Sequence, residues 1–429
     1  MSRFLFVVPP LTGHINPAAA VAAELTARGH DVAWAGRPGI VERLVGERPR
    51  VYECAGPDHL AGRPPQLRGL AALKFLWADF LGPLAEAMAP GVAAAITAFR
   101  PDVVVADQQT VAGALVAERL GVPFATSSTT SAELTESMAA MPGVRNWLTG
   151  LLRELRERIG DPAATYDPRF SPALTLAFTT PELTGPYTAP ETDLRFVGPA
   201  LAARGSARGG FPWQWLDPAP GTASVLVTLG TANTDAGGRF LAESVAAVRA
   251  RAGRLRAVVC DPGGLLGAVP PGPDVLVRAV LPQVAVLERM AAVVCHAGHN
   301  TVTEALWHGV PLVVAPIRDD QPVVAAQVVG AGVGLRVKFA RAGREQIGAA
   351  LDAVVTEPAY RDAARHVRDA FRAAGGASAA ATHLENLAAT PRRPSRDTPD
   401  ETPHSPHREG RTCPTMNGSP SSAPRIRTS

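Results

Sequence analysis

The side chains best able to do chemistry crowd into the stretch from Leu281 to Gly334. Leu281-Pro282-Gln283 comes first, then Cys295-His296-Ala297-Gly298-His299-Asn300-Thr301 with Glu304 one helical turn on, and finally Pro316-Ile317-Arg318-Asp319-Asp320-Gln321. The apolar run Ala292 to Cys295 reads as a strand that stops at His296, while Gly298, Asn300 and Thr301 open a helix. Backbone N–H groups and the positive end of the helix dipole then point at one spot, which favours an anion. Gly298 lets the backbone come close, and the His296 imidazole and Thr301 hydroxyl can donate to phosphate oxygens without magnesium. A diphosphate fits such a site.

A second group lies near the N-terminus. Gly13-His14-Ile15-Asn16-Pro17 follows the apolar run Phe4 to Val8, and Asp107 ends the run Val103 to Ala106. An imidazole held by a carboxylate suits proton transfer near neutral pH. Taken singly, a Gly-His turn also fits a plain loop before a helix, and an Asp after a strand also fits an N-cap.

Two strand-bearing domains must position these groups. Short apolar runs alternate with Ala-rich helical stretches, the pattern of βα units on a parallel sheet. The strand Phe4 to Val8 is followed by an Ala/Val/Leu helix beyond Pro17, ended near Arg28 by Gly29, and by a strand from Asp31 to Ala35. The strand Val103 to Ala106 leads to a helix over Ala112 to Leu120 and a strand around Pro123 to Ala125. Leu201 to Gly210 reads as a flexible connector without apolar periodicity. After it come strands at Ser224 to Leu229, Arg256 to Cys260, Val275 to Val280, Ala292 to Cys295 and Pro311 to Pro316, with helices around Phe240 to Arg251 and Thr301 to Trp307. The expectation is an α/β chain of two doubly wound domains: residues 1–199, a linker at 200–212, a second domain at 213–390 and a tail at 391–429. Ligands of open α/β sheets bind outside the carboxyl ends of the strands, so the motifs should meet in the cleft between the domains.

Composition narrows the function classes. A length of 429 residues is too great for one ordinary core and suits two or three domains. Cys54, Cys260, Cys295 and Cys413 are scattered, with neither a disulfide framework nor a zinc spacing. From residue 391 onward there are seven Arg against four acidic residues, an excess equal to the whole formal charge of +3. The body is therefore nearly neutral, which argues against nucleic acid as a partner. The tail itself, rich in Pro, Ser, Thr, Arg and Gly, is expected to be disordered. No unbroken apolar run reaches the roughly 18 to 20 residues that cross a bilayer. Phe4 to Val8 is too short for a signal core. A cytoplasmic protein without stable membrane insertion is expected.

The spacing of His296, Asn300, Thr301 and Glu304, followed by Asp320-Gln321, closely resembles the donor signature of glycosyltransferase family 1, the UDP-glucuronosyltransferase-like superfamily, in its bacterial natural-product form. The resemblance covers both halves of the chain and implies the GT-B fold, two Rossmann-like domains facing across a cleft. It implies that Gln283 lies against the nucleoside base, that Glu304 holds ribose hydroxyls, and that His296, Gly298, Asn300 and Thr301 bind the diphosphate. Asp320 and Gln321 would hold the sugar, and Gly230-Thr231 resembles the first donor loop, although it also fits a strand-ending turn. His299 stands where the family often has a small residue; it fits a contact to donor or acceptor and a solvent-facing side chain alike, and is given no role. In the same resemblance Gly13-His14-Ile15-Asn16-Pro17 matches the segment bearing the general base, so His14 is the expected catalytic residue and Asp107 its partner. One displacement without an enzyme nucleophile implies inversion at the anomeric carbon.

No cofactor or metal is expected, since no Asp-x-Asp motif or ligand cluster occurs; the co-substrate is a UDP- or dTDP-sugar. Leu73 to Met88, with Phe75, Trp77 and Phe80, and Met138 to Trp147 carry large apolar residues where the family's acceptor wall lies. They fit a small apolar hydroxylated acceptor, as in antibiotic and other secondary metabolism, and they fit helix faces packed on a sheet equally well. A dinucleotide-dependent dehydrogenase is excluded because Pro9 to His14 lacks the GxGxxG fingerprint. The alternative is membrane-associated transfer to a lipid-linked acceptor on the same fold, which needs a richer glycine loop and an apolar docking patch.

Overall fold

A computed structural model describes residues 1–46, 48–57, 63–64, 66–135, 141–187, 192–201, 210–217, 220–230, 233, 237–267 and 272–390. The expected disordered tail at 391–429, most of the connector, Thr231 and residues 138–140 of the second acceptor segment lie outside these.

Strands β1 (Arg3–Val7), β2 (Asp31–Gly36), β3 (Arg50–Glu53), β4 (Val103–Asp107), β5 (Phe124–Ser128), β6 (Thr175–Ala177) and β7 (Leu194–Phe196) form one sheet in the order β3-β2-β1-β4-β5-β6-β7. Strands β8 (Ala223–Thr228), β9 (Leu255–Cys260), β10 (Val275–Arg278), β11 (Ala292–Cys295), β12 (Leu312–Val314) and β13 (Gly334–Arg336) form a second, ordered β10-β9-β8-β11-β12-β13. Every neighbouring pair in both sheets is parallel. In β1, Leu5 and Val7 enter the core on one face while Phe4 and Phe6 enter that on the other. In β8, Leu226 and the pair Val225 and Val227 divide in the same way. Strands buried on both faces read as unbroken apolar runs, which is why they were visible in the sequence.

Strand order reverses between β1 and β4 in the first sheet and between β8 and β11 in the second. At such switch points the adjoining loops diverge and leave a crevice. Val7 pairs with Ala106 and Cys295 with Thr228, so the loops leaving each pair of strands start side by side. His14 and Asp107 belong to the first crevice, Gly230 and His296 to the second.

Three elements differ from expectation. The first helix spans Thr12–Ala27, placing His14 in its opening turn and Pro17 inside it. Proline has no N–H for the carbonyl four residues back, so Gly13 O lacks that intrahelical donor. Asn300 Nδ2, from the other sheet's domain, donates to Gly13 O instead, at 2.6 Å. Secondly, the helix Gly376–Ala389, inside the stretch read as the second domain, packs on the first: Ala380, Ala381 and Leu384 join the core of Phe4, Phe6 and Ile15. Arg28 and His30 each reach Glu385 at 2.8 Å and fix that return.

Thirdly, among the described residues one helical stretch, Gly69–Phe99, has the length and composition to cross a bilayer despite its interspersed charges. Its apolar side chains, among them Trp77, Phe80, Leu84, Met88 and Val92, are buried in the first domain's core. This corrects the expected acceptor wall, because Trp77 and Phe80 are 0% and 2% exposed and face the sheet, while Phe75 stays half-buried. Residues Phe75–Leu81 form a π-helical segment, which shifts the face each side chain takes from that of a 3.6-residue repeat.

Candidate active site

At the first switch point His14 Nδ1 lies 3.0 and 2.9 Å from Asp107 Oδ1 and Oδ2. The Asp107 carboxylate is buried and also accepts the Gln109 N–H at 2.9 Å and the Thr129 hydroxyl at 3.0 Å. With Asp107 acting as acceptor throughout, the ring proton sits on Nδ1 and Nε2 keeps its lone pair. The His14 side chain retains 16% exposure, enough for a substrate to reach it. Burial pulls the His14 pKa down, but the charge and hydrogen bond of Asp107, with the charge of Asp320, outweigh it and leave the value raised. The arrangement is a base whose protonated form has a built-in counter-charge.

Thr129 opens a run that sequence reasoning missed. Thr129 Oγ1 is 2.7 Å from His14 Nδ1; Thr130 donates to Asp320 Oδ2 at 2.6 Å; Ser131 lies 3.2 Å from His299 Nδ1 and 2.5 Å from Gln327 Oε1. All three are at most 4% exposed. Three consecutive hydroxyls thus run from the base pair to side chains beyond the second sheet. His299 is buried, with Nε2 donating to Phe178 O at 3.3 Å, and burial above all pushes its pKa to about 4. It is a neutral link between the two domains.

At the second switch point Ala297 takes a positive φ of 64°, an uncommon conformation for a residue with a Cβ, and turns the chain from β11 into the helix His299–Trp307. The His296 ring lies between two glycines. A Cβ built on Gly298 would stand 2.3 Å from His296 Nε2, and one on Gly230 would stand 2.7 Å from Cε1. Gly230 also has φ 71°. Both positions therefore exclude a side chain. Burial, helped by the charge of Arg318, drives the His296 pKa to about 4, so the ring is neutral at pH 7. Its Nδ1 is buried with no hydrogen-bond partner among the described residues.

The other expected donor residues are placed as follows. Gln283 Nε2 donates to Glu304 Oε2 at 2.7 Å, so base-side and ribose-side candidates touch. Glu304, Thr303 and Asn300 line a pocket together with Asn16, Pro17, Phe178 and Pro199. Thr301 is buried in the first turn of its helix. Asn300, expected on the diphosphate, donates to Gly13 O of the first domain. Gln321 Oε1 accepts the N–H groups of Ile317 and Arg318 at 2.9 and 3.1 Å, so its carbonyl oxygen closes its own loop. Asp320 precedes the next helix, Gln321–Gly330, and its side chain makes no capping bond to it. Burial raises its pKa, the Thr130 hydrogen bond and the His14 charge oppose this, Asp319 adds to it, and the net shift is upward.

Arg318 was also missed. It is 1% exposed and donates through Nε to Asn233 Oδ1 at 3.0 Å, while Asn233 Nδ2 holds Leu229 O at 3.0 Å. A guanidinium is thus linked through Asn233 to Leu229, the residue before Gly230. Its only sequence signal was a basic residue beside two acids, which reads as surface charge. Among the described residues no group of three or more His, Cys, Asp or Glu could hold a metal ion.

Residues 257–387 match the family described as "Erythromycin biosynthesis protein CIII-like, C-terminal domain". The chain is 30% identical to 4'-demethylrebeccamycin synthase of Lentzea aerocolonigenes, over 90% of this chain and 99% of that protein. It is also 30% identical to demethyllactenocin mycarosyltransferase of Streptomyces fradiae, over 90% of this chain and 87% of the relative. The crystal structure of the glycotransferase of kitacinnamycin superposes with a TM-score of 0.73 at 25% identity, covering 90% of this chain and 98% of that one.

Proposed function

Because this chain belongs to the bacterial natural-product glycosyltransferases of family 1, and is a glycosyltransferase of the GT-B fold, we propose that it moves a hexose from a UDP- or dTDP-sugar to a hydroxyl of a small, largely apolar acceptor such as a natural-product aglycone. The reaction is metal-independent and inverts the anomeric centre. The observation that carries this reading is the His14–Asp107 pair, whose ring proton is held on Nδ1 and whose Nε2 remains a base.

An alcohol is far too weak an acid to ionise at neutral pH, so its proton must leave as the new glycosidic bond forms. His14 Nε2 takes that proton, and Asp107 stabilises the resulting imidazolium. As the acceptor oxygen bonds the anomeric carbon, the bond from that carbon to the diphosphate oxygen breaks and the nucleoside diphosphate leaves with the electron pair, its charge met by the helix N-terminus at Gly298 to Thr301 and by His296. Acceptor hydroxyls lie toward the first sheet and the nucleotide toward the second, where Glu304 and Gln283 meet the nucleoside and Asp320 and Gln321 the sugar.

The test separates the two crevices. With EDTA present, His14→Ala is expected to abolish transfer while leaving UDP or dTDP affinity by calorimetry within about twofold. His296→Ala should weaken nucleotide binding at least tenfold, since a hydrogen bond to a charged group contributes about 1.5–3 kcal/mol. The reverse pattern, or loss of all activity in EDTA alone, would defeat the assignment.

A further inference from the structure

The run Thr129-Thr130-Ser131 follows β5, and nothing in the family signature assigns Thr130. Its oxygen accepts the Ala132 N–H at 3.3 Å, and its proton goes to Asp320 Oδ2 at 2.6 Å, so the hydroxyl is used in both senses. The neighbours on either side are held equally firmly. Thr129 is bound by the His14–Asp107 pair and Ser131 by His299 and Gln327. A residue flanked by two such anchors has little freedom, and Asp320 receives a donor whose position is fixed by the catalytic pair itself.

Asp320 needs such a donor. It follows Asp319, which has φ 57° and pairs with Arg63, so the backbone there is held in an uncommon turn. Its own carboxylate is turned toward the first domain, within the field of His14, with Asp319 as a like-charged neighbour. In that setting burial and the Asp319 charge favour the neutral carboxyl, while the Thr130 hydrogen bond and the charge of His14 favour the carboxylate.

Resting on the proposed role of Asp320 in holding the transferred sugar, we infer that Thr130 is a positioning residue for sugar recognition, its hydroxyl crossing the cleft to set the Asp320 carboxylate against the sugar hydroxyls in register with His14. The residues proposed for the nucleoside and diphosphate lie elsewhere: Gln283 and Glu304, which bond each other, and the helix from His299. Loss of Thr130 should therefore be felt by the sugar and not by the nucleotide.

The experiment compares, by calorimetry on the full chain, the affinity for UDP and dTDP with that for UDP-glucose and dTDP-glucose, taking the better-bound pair. The readout is the ratio of sugar nucleotide to bare nucleotide. Thr130→Val is expected to lower that ratio about tenfold with nucleotide affinity unchanged, Thr130→Ser to restore it within about twofold, and Thr130→Val/Asp320→Asn to match Asp320→Asn alone. If Asp320→Asn lowers the ratio but Thr130→Val does not, or if the two losses add fully, the inference is overturned while the sugar site stands. If Asp320→Asn leaves the ratio unchanged, the sugar assignment of Asp320 fails and the inference falls with it. A loss with Thr130→Val that also appears for bare nucleotide, and that Thr130→Ser does not restore, marks a general packing defect and overturns the inference as well.

Discussion

Replacing Asp107 by Asn tests the base most sharply, because it changes little but the direction of hydrogen bonds. The carboxylate accepts three donors: the Gln109 N–H on Oδ1, the Thr129 hydroxyl on Oδ2, and the His14 ring N–H between them. An amide offers one accepting oxygen and one NH2. If the oxygen sat at the Oδ2 position, the NH2 would face the Gln109 N–H, a backbone donor that cannot turn away. The oxygen therefore takes the Oδ1 position, and the NH2 points at Thr129 and His14 Nδ1. Thr129 can rotate its proton; the imidazole can accept only by moving its own proton to Nε2. That places a hydrogen where the acceptor hydroxyl needs a lone pair. A tautomer error of this kind in a His–Asp pair costs roughly 10³- to 10⁴-fold in turnover, or about 4–5.5 kcal/mol of barrier.

The pH profile supplies a second readout. In the wild type the His14 pKa is raised above its ordinary 6.5, so the acid limb of kcat/KM should lie above that value, and in Asp107→Asn any residual activity should show the limb moved down. A raised folded pKa adds stability that is complete below the unfolded imidazole value of about 6.5 and is lost as pH rises through the folded value. The melting-temperature gap between wild type and variant should accordingly be wider at about pH 5.5 than at about pH 8.5. Initial rates over that range, with nucleotide affinity as the control, decide the matter. Turnover within tenfold of wild type, or an acid limb that does not move, would refute the proton placement argued here.

Two further changes probe the donor side. Gly298→Ala puts a methyl 2.3 Å from His296 Nε2, and Gly230→Ala puts one 2.7 Å from Cε1 in a backbone with φ 71°. Each should cost about 1–3 kcal/mol of stability by overpacking, with a further 1–2 kcal/mol for the left-handed backbone at Gly230. Nucleotide affinity should fall in step; thermal melts and calorimetry that show wild-type behaviour would mean the ring does not occupy that gap. Arg318→Met keeps volume and removes charge, and is expected to weaken UDP or dTDP at least tenfold while leaving uridine or thymidine affinity unchanged. Equal loss for nucleoside and nucleotide would assign Arg318 to packing alone.

Much of this architecture was legible because parallel strands covered on both faces leave continuous apolar runs, and because Gly298 stands between the end of a strand and the start of a helix. Less visible were contacts that depend on tertiary geometry. Pro17 carried a usable clue, since its missing N–H leaves the Gly13 carbonyl in need of a donor, but no local pattern names Asn300 as that donor. Thr129-Thr130-Ser131 reads as a polar turn after β5; its burial comes from the second domain lying over it. The faces of Trp77 and Phe80 were indeterminate for a stronger reason. The π-helical segment Phe75–Leu81 breaks the 3.6-residue repeat on which any reading of helix faces rests. Arg318 was invisible because a buried guanidinium and an exposed one have the same sequence.

The two crevices also divide charge in a way that suits the proposed reaction. Transfer creates a positive charge on His14 and a negative charge on the departing diphosphate. On the first side, Asp107 bonds the imidazole directly and the charge of Asp320 adds to its effect, so the new cation forms against a carboxylate. On the second side His296 is neutral, with a pKa of about 4, and cannot supply a positive charge at neutral pH. A fixed positive charge there belongs to Arg318, held by Asn233, and the helix beginning at His299 adds its N-terminal dipole. A protonated His296 would repel Arg318; keeping the ring neutral leaves it free to donate one N–H without that penalty. A carboxylate thus stands where the proton arrives, and a guanidinium and a helix N-terminus stand where the electron pair goes, in place before the reaction starts as electrostatic catalysis requires.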